Sequence, residues 1–194
     1  MLISQKSKET IDACRFCWMC RHVCPIGNAT GQERNTARAR ALTLSLVERD
    51  AVRLSDVIDN VWECALCGGC TNNCMTGWDP VRFTKEVRLE AVSNGEAPEY
   101  IMKLVDNIEA TGNAYGLEKP DMEIVSLGEA LPRVADTLLY IGTDVRYKAA
   151  EYAVDAAAVL KKAGIDFTIL GDEPDSGAAL DFLVGEADET KKAA

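Results

Sequence analysis

All eight cysteines of this chain lie in two runs with identical spacing. The runs are Cys14, Cys17, Cys20 and Cys24, followed by Cys64, Cys67, Cys70 and Cys74. Each run reads C-x2-C-x2-C-x3-C, which is the ligand spacing of a site for a four-iron, four-sulfur cluster. Because cysteine thiolates are the ligands that hold such clusters, we predict that the chain binds two 4Fe-4S clusters.

The spacing also predicts which cysteines share a cluster. Three cysteines placed three residues apart on a tight loop can bind three corners of one cluster. The fourth cysteine lies on the outgoing chain and points toward the other cluster. We therefore expect one cluster on Cys14, Cys17, Cys20 and Cys74, and the second on Cys64, Cys67, Cys70 and Cys24.

Zinc and disulfides are the two alternative uses of these cysteines. Zinc sites made of four cysteines use two separated C-x2-C pairs, whereas here three cysteines lie within seven residues, twice. Eight cysteines in a small secreted protein would suggest four disulfides, but residues 1–10 lack the regions of a secretory signal. We favour clusters, which imply a reducing environment, and therefore expect a cytoplasmic protein.

Length and charge exclude several classes of protein. A chain of 194 residues suits one domain or one domain with a smaller appendage. No stretch is long and apolar enough to span a membrane, although association with a membrane-bound partner stays open. The net charge of −10 argues against a nucleic-acid partner.

Arginines are concentrated around the first cysteine run. Six of them lie between Arg15 and Arg49, against only Glu33 and Glu48. A cluster bound by four thiolates is an anion, so nearby cations would stabilise it and raise its reduction potential. The same arginines could equally form the solvated face of a helix, except for Arg15 and Arg21, which lie inside the ligand loop.

Each of the three tryptophans lies close in sequence to a ligand cysteine. Trp18, Trp62 and Trp78 would shield the clusters from water, which lowers the reduction potential. Ordinary packing in the core predicts nearly the same burial, so the two interpretations stay open.

Helical patterns predominate in residues 1–112, and no segment there has a convincing strand pattern. Thr36 is predicted to cap a helix to about Arg49, with Leu42, Leu46 and Arg49 on one face and Ala37, Ala41, Leu44 and Val47 close by. Residues 26–35 are predicted to form a loop. Asp79 and Pro80 are a typical helix start. We therefore predict a first, helical domain over residues 1–112 that carries both clusters.

The pattern changes in the last third of the chain. Residues 113–135 are predicted to be a linker. Residues 137–141 and 167–170 are compact apolar runs typical of buried strands, and the alanine-rich residues 147–163 between them predict a helix. Strand, helix and strand in this order form a βαβ unit, so the strands should be parallel. The predicted fold is mostly α, with a small α/β module over residues 136–194.

The two cysteine runs on helices resemble those of the C and D subunits of heterodisulfide reductase. They are also similar to those of the iron–sulfur subunits of anaerobic glycerol-3-phosphate, glycolate and lactate dehydrogenases. This resemblance implies an α-helical ferredoxin domain with two 4Fe-4S clusters. One departure is Met75, which stands where a proline usually follows the fourth cysteine.

The C-terminal module resembles the start of the CCG domain found in the same family. That domain carries one cysteine after its first strand and a cysteine pair after its second, and the spacing here matches, with 31 residues between Thr143 and Asp175. Thr143, Asp175 and Ser176 stand in place of the three cysteines. The cluster chemistry of the CCG domain is therefore not expected here, and we expect the acidic residues Asp172, Glu173 and Asp175 to form a solvated turn.

The sequence contains no glycine-rich phosphate loop and no pairing of a nucleophile with a base, so no catalytic residue is predicted. A flavin would then belong to another subunit. We expect an electron-transfer subunit that passes single electrons through two clusters, between a flavoprotein dehydrogenase or reductase and a further redox subunit. The alternatives are a reduced catalytic subunit of the heterodisulfide reductase type, and a scaffold or sensor stabilised by its clusters.

Overall fold

The computed structural model describes residues 4–15, 17–118, 134–171 and 173–185. Eight helices occupy the part described up to residue 118. They are α1 (Gln5–Asp12), α2 (Met19–Val23), α3 (Pro25–Thr30), α4 (Ala37–Glu48), α5 (Ile58–Trp62), α6 (Gly69–Asn73), α7 (Pro80–Ser93) and α8 (Glu99–Thr111). Two 3-10 turns, Glu33–Asn35 and Leu54–Asp56, precede α4 and α5. The described residues after 134 form β1 (Thr137–Leu138), α9 (Thr143–Lys148), α10 (Ala150–Lys162), β2 (Phe167–Thr168) and a π-helical segment, Leu180–Val184.

Contacts group the described residues into two compact units. The first unit comprises residues within Met1–Met102 and Ala179–Glu189, and the second comprises residues within Lys103–Ala178 and Thr190–Ala194. The domain boundaries predicted from the sequence, at residues 112 and 136, stay a prediction. In the described parts of the chain, no helix combines the length and the apolar character needed to cross a membrane.

Side-chain caps form at the start of two helices of the first unit, α4 and α7. The Thr36 hydroxyl accepts a hydrogen bond from the backbone N–H of Ala39 at the start of α4. The Asp79 carboxylate accepts one from Arg82 N–H at the start of α7, where Pro80 occupies the first turn. Both helix starts were predicted from the sequence, and both are confirmed.

The core of the first unit lies between α1, α4, α5 and α7. Phe83, Val87 and Ala91 of α7 are fully buried, and the centroids of the Trp78 and Phe83 rings lie 5.8 Å apart. The face that α4 contributes consists of Ala37, Ala41, Leu44 and Val47. These four residues were predicted to lie close to the apolar face, whereas the prediction was wrong for Leu42 and Leu46, which are exposed. The small residues Ala37 and Ala41 on the buried face allow α4 to approach its neighbours closely, and Leu42 and Leu46 remain outside.

The segment predicted as a loop over residues 26–35 is largely helical, so that prediction was wrong. Pro25 begins α3, because its fixed φ suits the first helical position and its missing N–H is not needed there. The Cys24 Sγ accepts a hydrogen bond from the backbone N–H of Gly27, which caps the helix. Gly27 is buried, and a Cβ at this position would lie 2.9 Å from a methyl group of Thr36. The glycine therefore permits close packing and does not mark a loop.

The second unit contains a small parallel sheet. Thr137 pairs with Phe167 and Leu138 with Thr168, in the parallel orientation that the βαβ pattern predicts. The strands are shorter than predicted, and helix begins at Thr143 instead of Tyr147. Its buried cluster is small, consisting of Ala157, Phe167 and Ile169 with three partly buried apolar neighbours.

Candidate metal centre

From the second cysteine onward, the two cysteine runs adopt the same backbone conformation. Trp18 and Gly68, each directly after the second cysteine of its run, have φ of +70° and +72°. Each is followed by a five-residue helix that carries the third cysteine, α2 or α6. The fourth cysteines, Cys24 and Cys74, are both extended. The repeat in the sequence is therefore a repeat in three dimensions.

The left-handed turn has a different chemical origin in each run. Glycine adopts a positive φ without penalty, so Gly68 needs no explanation. Trp18 is a bulky residue in a conformation that such residues rarely adopt. Its ring lies beside two guanidinium groups, with the Arg38 Cζ 4.1 Å and the Arg21 Cζ 5.4 Å from the ring centroid. These cation–π contacts offset part of the strain at Trp18.

The two ligand loops pack directly against each other through α2 and α6. The Asn73 Nδ2 donates a hydrogen bond of 3.3 Å to the backbone oxygen of Met19. A Cβ on Gly69 would lie 3.5 Å from the Val23 backbone oxygen, so the helices approach each other to ordinary contact distance. Cysteines from the two runs are thereby brought to the same side of the first unit.

Four cysteines line one small cavity. Cys14, Cys17 and Cys20 of the first run and Cys74 of the second surround it. The apolar part of the wall comes from Trp18, Met19, Met75 and Trp78. This is the set of four cysteines expected to share the first cluster.

Burial and neighbouring thiols raise the pKa of one cysteine in each run, Cys20 and Cys70. Burial raises the pKa of Cys70 to about 11, and the neighbouring thiols of Cys64, Cys67 and Cys20 add to the increase. Burial likewise raises the pKa of Cys20, with smaller contributions from Cys14 and Cys17. A buried thiol gives up its proton when it binds a metal, since the thiolate is the ligand.

Cys74 and Cys24 occupy more polar surroundings. Burial alone would raise the pKa of Cys74, but hydrogen bonds from the Thr76 hydroxyl and from the backbone of Thr76 and Trp78 lower it overall. The buried Cys24 Sγ accepts a hydrogen bond from Gly27 N–H, and its thiol donates one of 3.5 Å to the Asn35 oxygen.

Across the described ranges, no three Cys, His, Asp or Glu side chains are arranged to hold a metal ion.

Two arginines are buried in the first unit. Arg40 of α4 is 2 % exposed and Arg88 of α7 is 1 % exposed. Arg88 donates from Nη2 to the Cys64 oxygen at 2.7 Å and from Nη1 to the Phe182 oxygen at 2.7 Å. The burial of Arg88 was not predicted from the sequence, since an arginine in a mixed helical pattern carries no signal of burial.

The arginines and tryptophans that the sequence did single out differ in their surroundings. Arg15 and Arg21 are exposed. Trp78 is buried in the core, and Trp62 donates from Nε1 to the Leu183 oxygen at 2.9 Å, which anchors the π-helical segment. Trp18 remains 39 % exposed at the rim of the cavity.

In the second unit, Thr143 is the first residue of α9, after β1, and Asp175 and Ser176 lie in the segment after β2. Thr143 Oγ1 donates a short hydrogen bond to the Asp175 carboxylate. The Glu173 carboxylate accepts hydrogen bonds from the backbone N–H groups of Ile141 and Gly142, at 2.8 and 2.7 Å. It also lies 3.6 Å from the buried guanidinium of Arg146. The expectation of a solvated turn was wrong for Glu173, because its side chain is only 2 % exposed.

Comparison with known proteins identifies the region around the cysteines. Residues 10–78 match the 4Fe-4S dicluster domain family. The D subunit of the dihydromethanophenazine:CoB–CoM heterodisulfide reductase of Methanosarcina acetivorans is 27 % identical over 192 residues, covering 88 % of this chain and 46 % of that protein. The equivalent protein of Methanosarcina mazei is 25 % identical over 184 residues, covering 84 % of this chain and 44 % of that protein.

A bacterial relative shares a shorter region. The probable iron–sulfur-binding oxidoreductase FadF of Bacillus subtilis is 28 % identical over 142 residues, which cover 64 % of this chain and 20 % of that protein. The chain spans less than half the length of each of these three relatives. Residues 10–78 are thus similar to a 4Fe-4S dicluster domain, and the predicted resemblance to the D subunit of heterodisulfide reductase is confirmed.

Proposed function

We propose that this chain is a cytoplasmic electron-transfer subunit in which two 4Fe-4S clusters pass single electrons between a flavoprotein partner and a further redox carrier. The observation that carries the proposal is the pairing of two ligand loops with the same backbone, packed against each other through α2 and α6. Two clusters held by such loops would be neighbours, as an electron relay requires.

The chemistry of the cysteines and their proximity to one another support the proposed clusters. Cys14, Cys17, Cys20 and Cys74 line one cavity, which supports their sharing the first cluster. Cys64 and Cys67 lie close enough to Cys70 to contribute to the increase in its pKa, which supports a second cluster shared by these three cysteines. Cys24 is proposed as its fourth ligand from the spacing of the cysteines. When bound, each cluster would take up and release one electron at a time. The residues of this chain hold the cluster, exclude water from it and set its potential.

The electron partners are proposed from the relatives and from what this sequence lacks. The matched reductases are named as subunits, so we propose that this chain also works within a complex. The sequence has no glycine-rich loop for a flavin phosphate, so the flavin belongs to the partner. A second redox protein of the complex would then take the electrons onward.

The second unit is proposed to be a remnant of a CCG domain that serves for docking. All eight cysteines lie in the two runs, which leaves no thiolate at Thr143, Asp175 or Ser176 to hold a further cluster. The hydrogen bond between Thr143 and Asp175 joins the same two loops that a cluster would join in the family. Substrate chemistry would therefore take place on the partner.

Cysteine substitutions test the clusters and their ligands. Anaerobically purified protein should contain about eight irons per chain and show two one-electron signals in electron paramagnetic resonance. Cys20→Ser and Cys74→Ser should abolish the same signal, whereas Cys70→Ser and Cys24→Ser should abolish the other. If Cys74→Ser removed the signal that Cys70→Ser removes, the crossed arrangement would be wrong.

Anaerobic affinity purification from the native host tests the role of the chain. A stoichiometric partner carrying flavin is the expected result. Recovery of a chain that holds clusters but no flavoprotein would instead favour a freestanding carrier, and clusters that no physiological reductant reduces would favour a scaffold or sensor. Turnover of a disulfide or hydroxy acid by the isolated chain would support a catalytic role.

A further inference from the structure

Arg88 is bound by backbone oxygens from three parts of the first unit. Its Nη2 donates to the Val61 oxygen at 3.0 Å and to the Cys64 oxygen at 2.7 Å. Its Nη1 donates to the Phe182 oxygen at 2.7 Å. The guanidinium thus joins the end of α5, the first cysteine of the second run and the π-helical segment. A positive charge is held directly behind a proposed cluster ligand.

Arg40 occupies a similar position beside another ligand of the same proposed cluster. Its Nη2 donates to the Asn35 oxygen at 3.3 Å and its Nη1 to the Asn60 oxygen at 3.2 Å. The Asn35 oxygen also accepts the hydrogen bond from the Cys24 thiol, so the guanidinium and the thiol meet at one atom. Burial lowers the pKa of Arg88, and the nearby charge of Arg40 lowers it further, so the two guanidinium groups repel each other.

Two buried like charges need a nearby anion. Among the ion pairs found in the described ranges, none involves Arg40 or Arg88, and their hydrogen bonds run to uncharged backbone oxygens. Burying a charge without a partner costs several kcal/mol, and two repelling cations cost more. The anions that these arginines would face are the cluster and its ligands Cys64 and Cys24, which would become thiolates on binding it.

The cations around the first run are balanced differently. Arg38 forms an ion pair with Glu33 and stacks on Trp18. Arg15 and Arg21 are exposed, so water and salt screen their charges. The two ligand loops therefore share a backbone but experience different electrostatic fields.

We propose that Arg40 and Arg88 supply the counter-charge of the cluster bound by Cys64, Cys67, Cys70 and Cys24, and that they make it the more easily reduced of the two. This inference rests on the proposed two-cluster function. Reduction adds one negative charge to a cluster, and a buried cation stabilises the reduced state more than the oxidised state. Electrons entering the chain would then settle on the second cluster.

The test is a redox titration of Arg88→Gln, followed by electron paramagnetic resonance. We expect the higher of the two midpoint potentials to fall, with about a tenfold change in its reduction equilibrium, or about 59 mV for a one-electron couple. The lower potential should stay unchanged. Arg53→Gln is the matched control, since the Arg53 side chain is 82 % exposed and pairs with Asp56. Cys70→Ser should remove the higher-potential signal, which assigns it to the second run.

Each result distinguishes this inference from the function on which it rests. A wild-type chain without clusters would refute the proposed function itself. Two clusters whose potentials are both unchanged, or both shifted equally, by Arg88→Gln would refute the inference alone. If Arg88→Gln fails to fold, Arg40→Gln removes an equivalent charge with only two hydrogen bonds lost, and the same drop in the higher potential is expected. An Arg88→Lys variant whose higher potential fell as far as that of Arg88→Gln would also overturn the inference, because lysine keeps the charge.

Discussion

The left-handed turn after Cys67 allows a sharp test of the ligand-loop geometry. Gly68 has φ of +72°, and a Cβ on it would meet nothing within 4 Å. The neighbouring Gly69 lies in α6, and a Cβ there would make ordinary contacts of 3.5–3.8 Å with Val23 and Cys67. Alanine at 68 would therefore suffer only from its backbone conformation, whereas alanine at 69 would have neither a positive φ nor a clash. The two variants add the same methyl group at adjacent positions of one loop.

The expected effects have opposite signs. A non-glycine residue held in the left-handed region costs about 1–2 kcal/mol, so Gly68→Ala should destabilise the protein by that amount. Gly69→Ala should stabilise it by about 0.4–1 kcal/mol, because alanine restricts the unfolded chain and favours helix. In a chain of this length, 1 kcal/mol shifts the melting temperature by about 2–4 °C. The two variants should therefore melt at least about 3 °C apart, and Gly68→Ala should be the lower.

Anaerobic thermal unfolding followed by circular dichroism measures this difference. The two variants must be compared at equal iron content, because bound metal itself stabilises the fold. Equal melting temperatures, or a lower value for Gly69→Ala, would show that the loop does not turn at Gly68. The shared backbone of the two runs, and the cluster geometry based on it, would then be wrong.

Two further substitutions test polar groups away from the cysteines. Burial alone would raise the pKa of Glu86, but hydrogen bonds from the Ser4 backbone and from neighbouring side chains lower it overall. Its contribution to stability is therefore present above the unfolded-state pKa of about 4.3 and lost as the pH falls further, so Glu86→Gln should flatten the acid limb of a plot of melting temperature against pH. Glu173→Gln would leave Arg146 buried without its counter-charge, at a cost of about 3–5 kcal/mol. Amides of residues 137–141 should then exchange hydrogen more than a hundredfold faster, and adding Arg146→Met should restore much of their protection.

Sequence patterns predicted the features that depend on local chemistry. The spacing of the cysteines predicted a repeated ligand loop, and the structure shows the same backbone at Trp18 and Gly68. Thr36 and Asp79 were recognised as caps, since their side chains bond to N–H groups three residues ahead. The parallel pairing of β1 and β2 followed from the order of strand, helix and strand. The ligand loops and the caps depend on residues that are close together in the chain, and the strand pairing follows from the order of the elements.

The sequence did not predict features that depend on contacts between residues far apart in the chain. Arg88 is buried only because oxygens from α5, the second ligand loop and the π-helical segment converge on it, and residue 182 lies 94 positions away. Glu173 was taken for a solvated residue, because its partners at Ile141, Gly142 and Arg146 come from the other side of the βαβ unit. Leu42 and Leu46 were predicted on the apolar face of α4, but the buried face is centred on Ala37, Ala41, Leu44 and Val47, which were predicted only to lie close to it. Hydrophobic periodicity shows which residues share the apolar face of a helix, but it does not show which element packs against that face.

A repeated loop alone would make two equivalent clusters, and an electron would have no preferred direction between them. In this chain the duplication extends to the backbone but not to the surroundings. A strained tryptophan flanked by guanidinium groups, one of them paired with Glu33, covers the first loop, whereas a glycine and two buried arginines border the second. If the two proposed clusters bind, a difference between their potentials must come from such surroundings, because thiolate ligands and loop geometry would be common to both. The residues proposed to set the direction of electron flow are therefore to be sought outside the cysteine motifs, on α4 and α7.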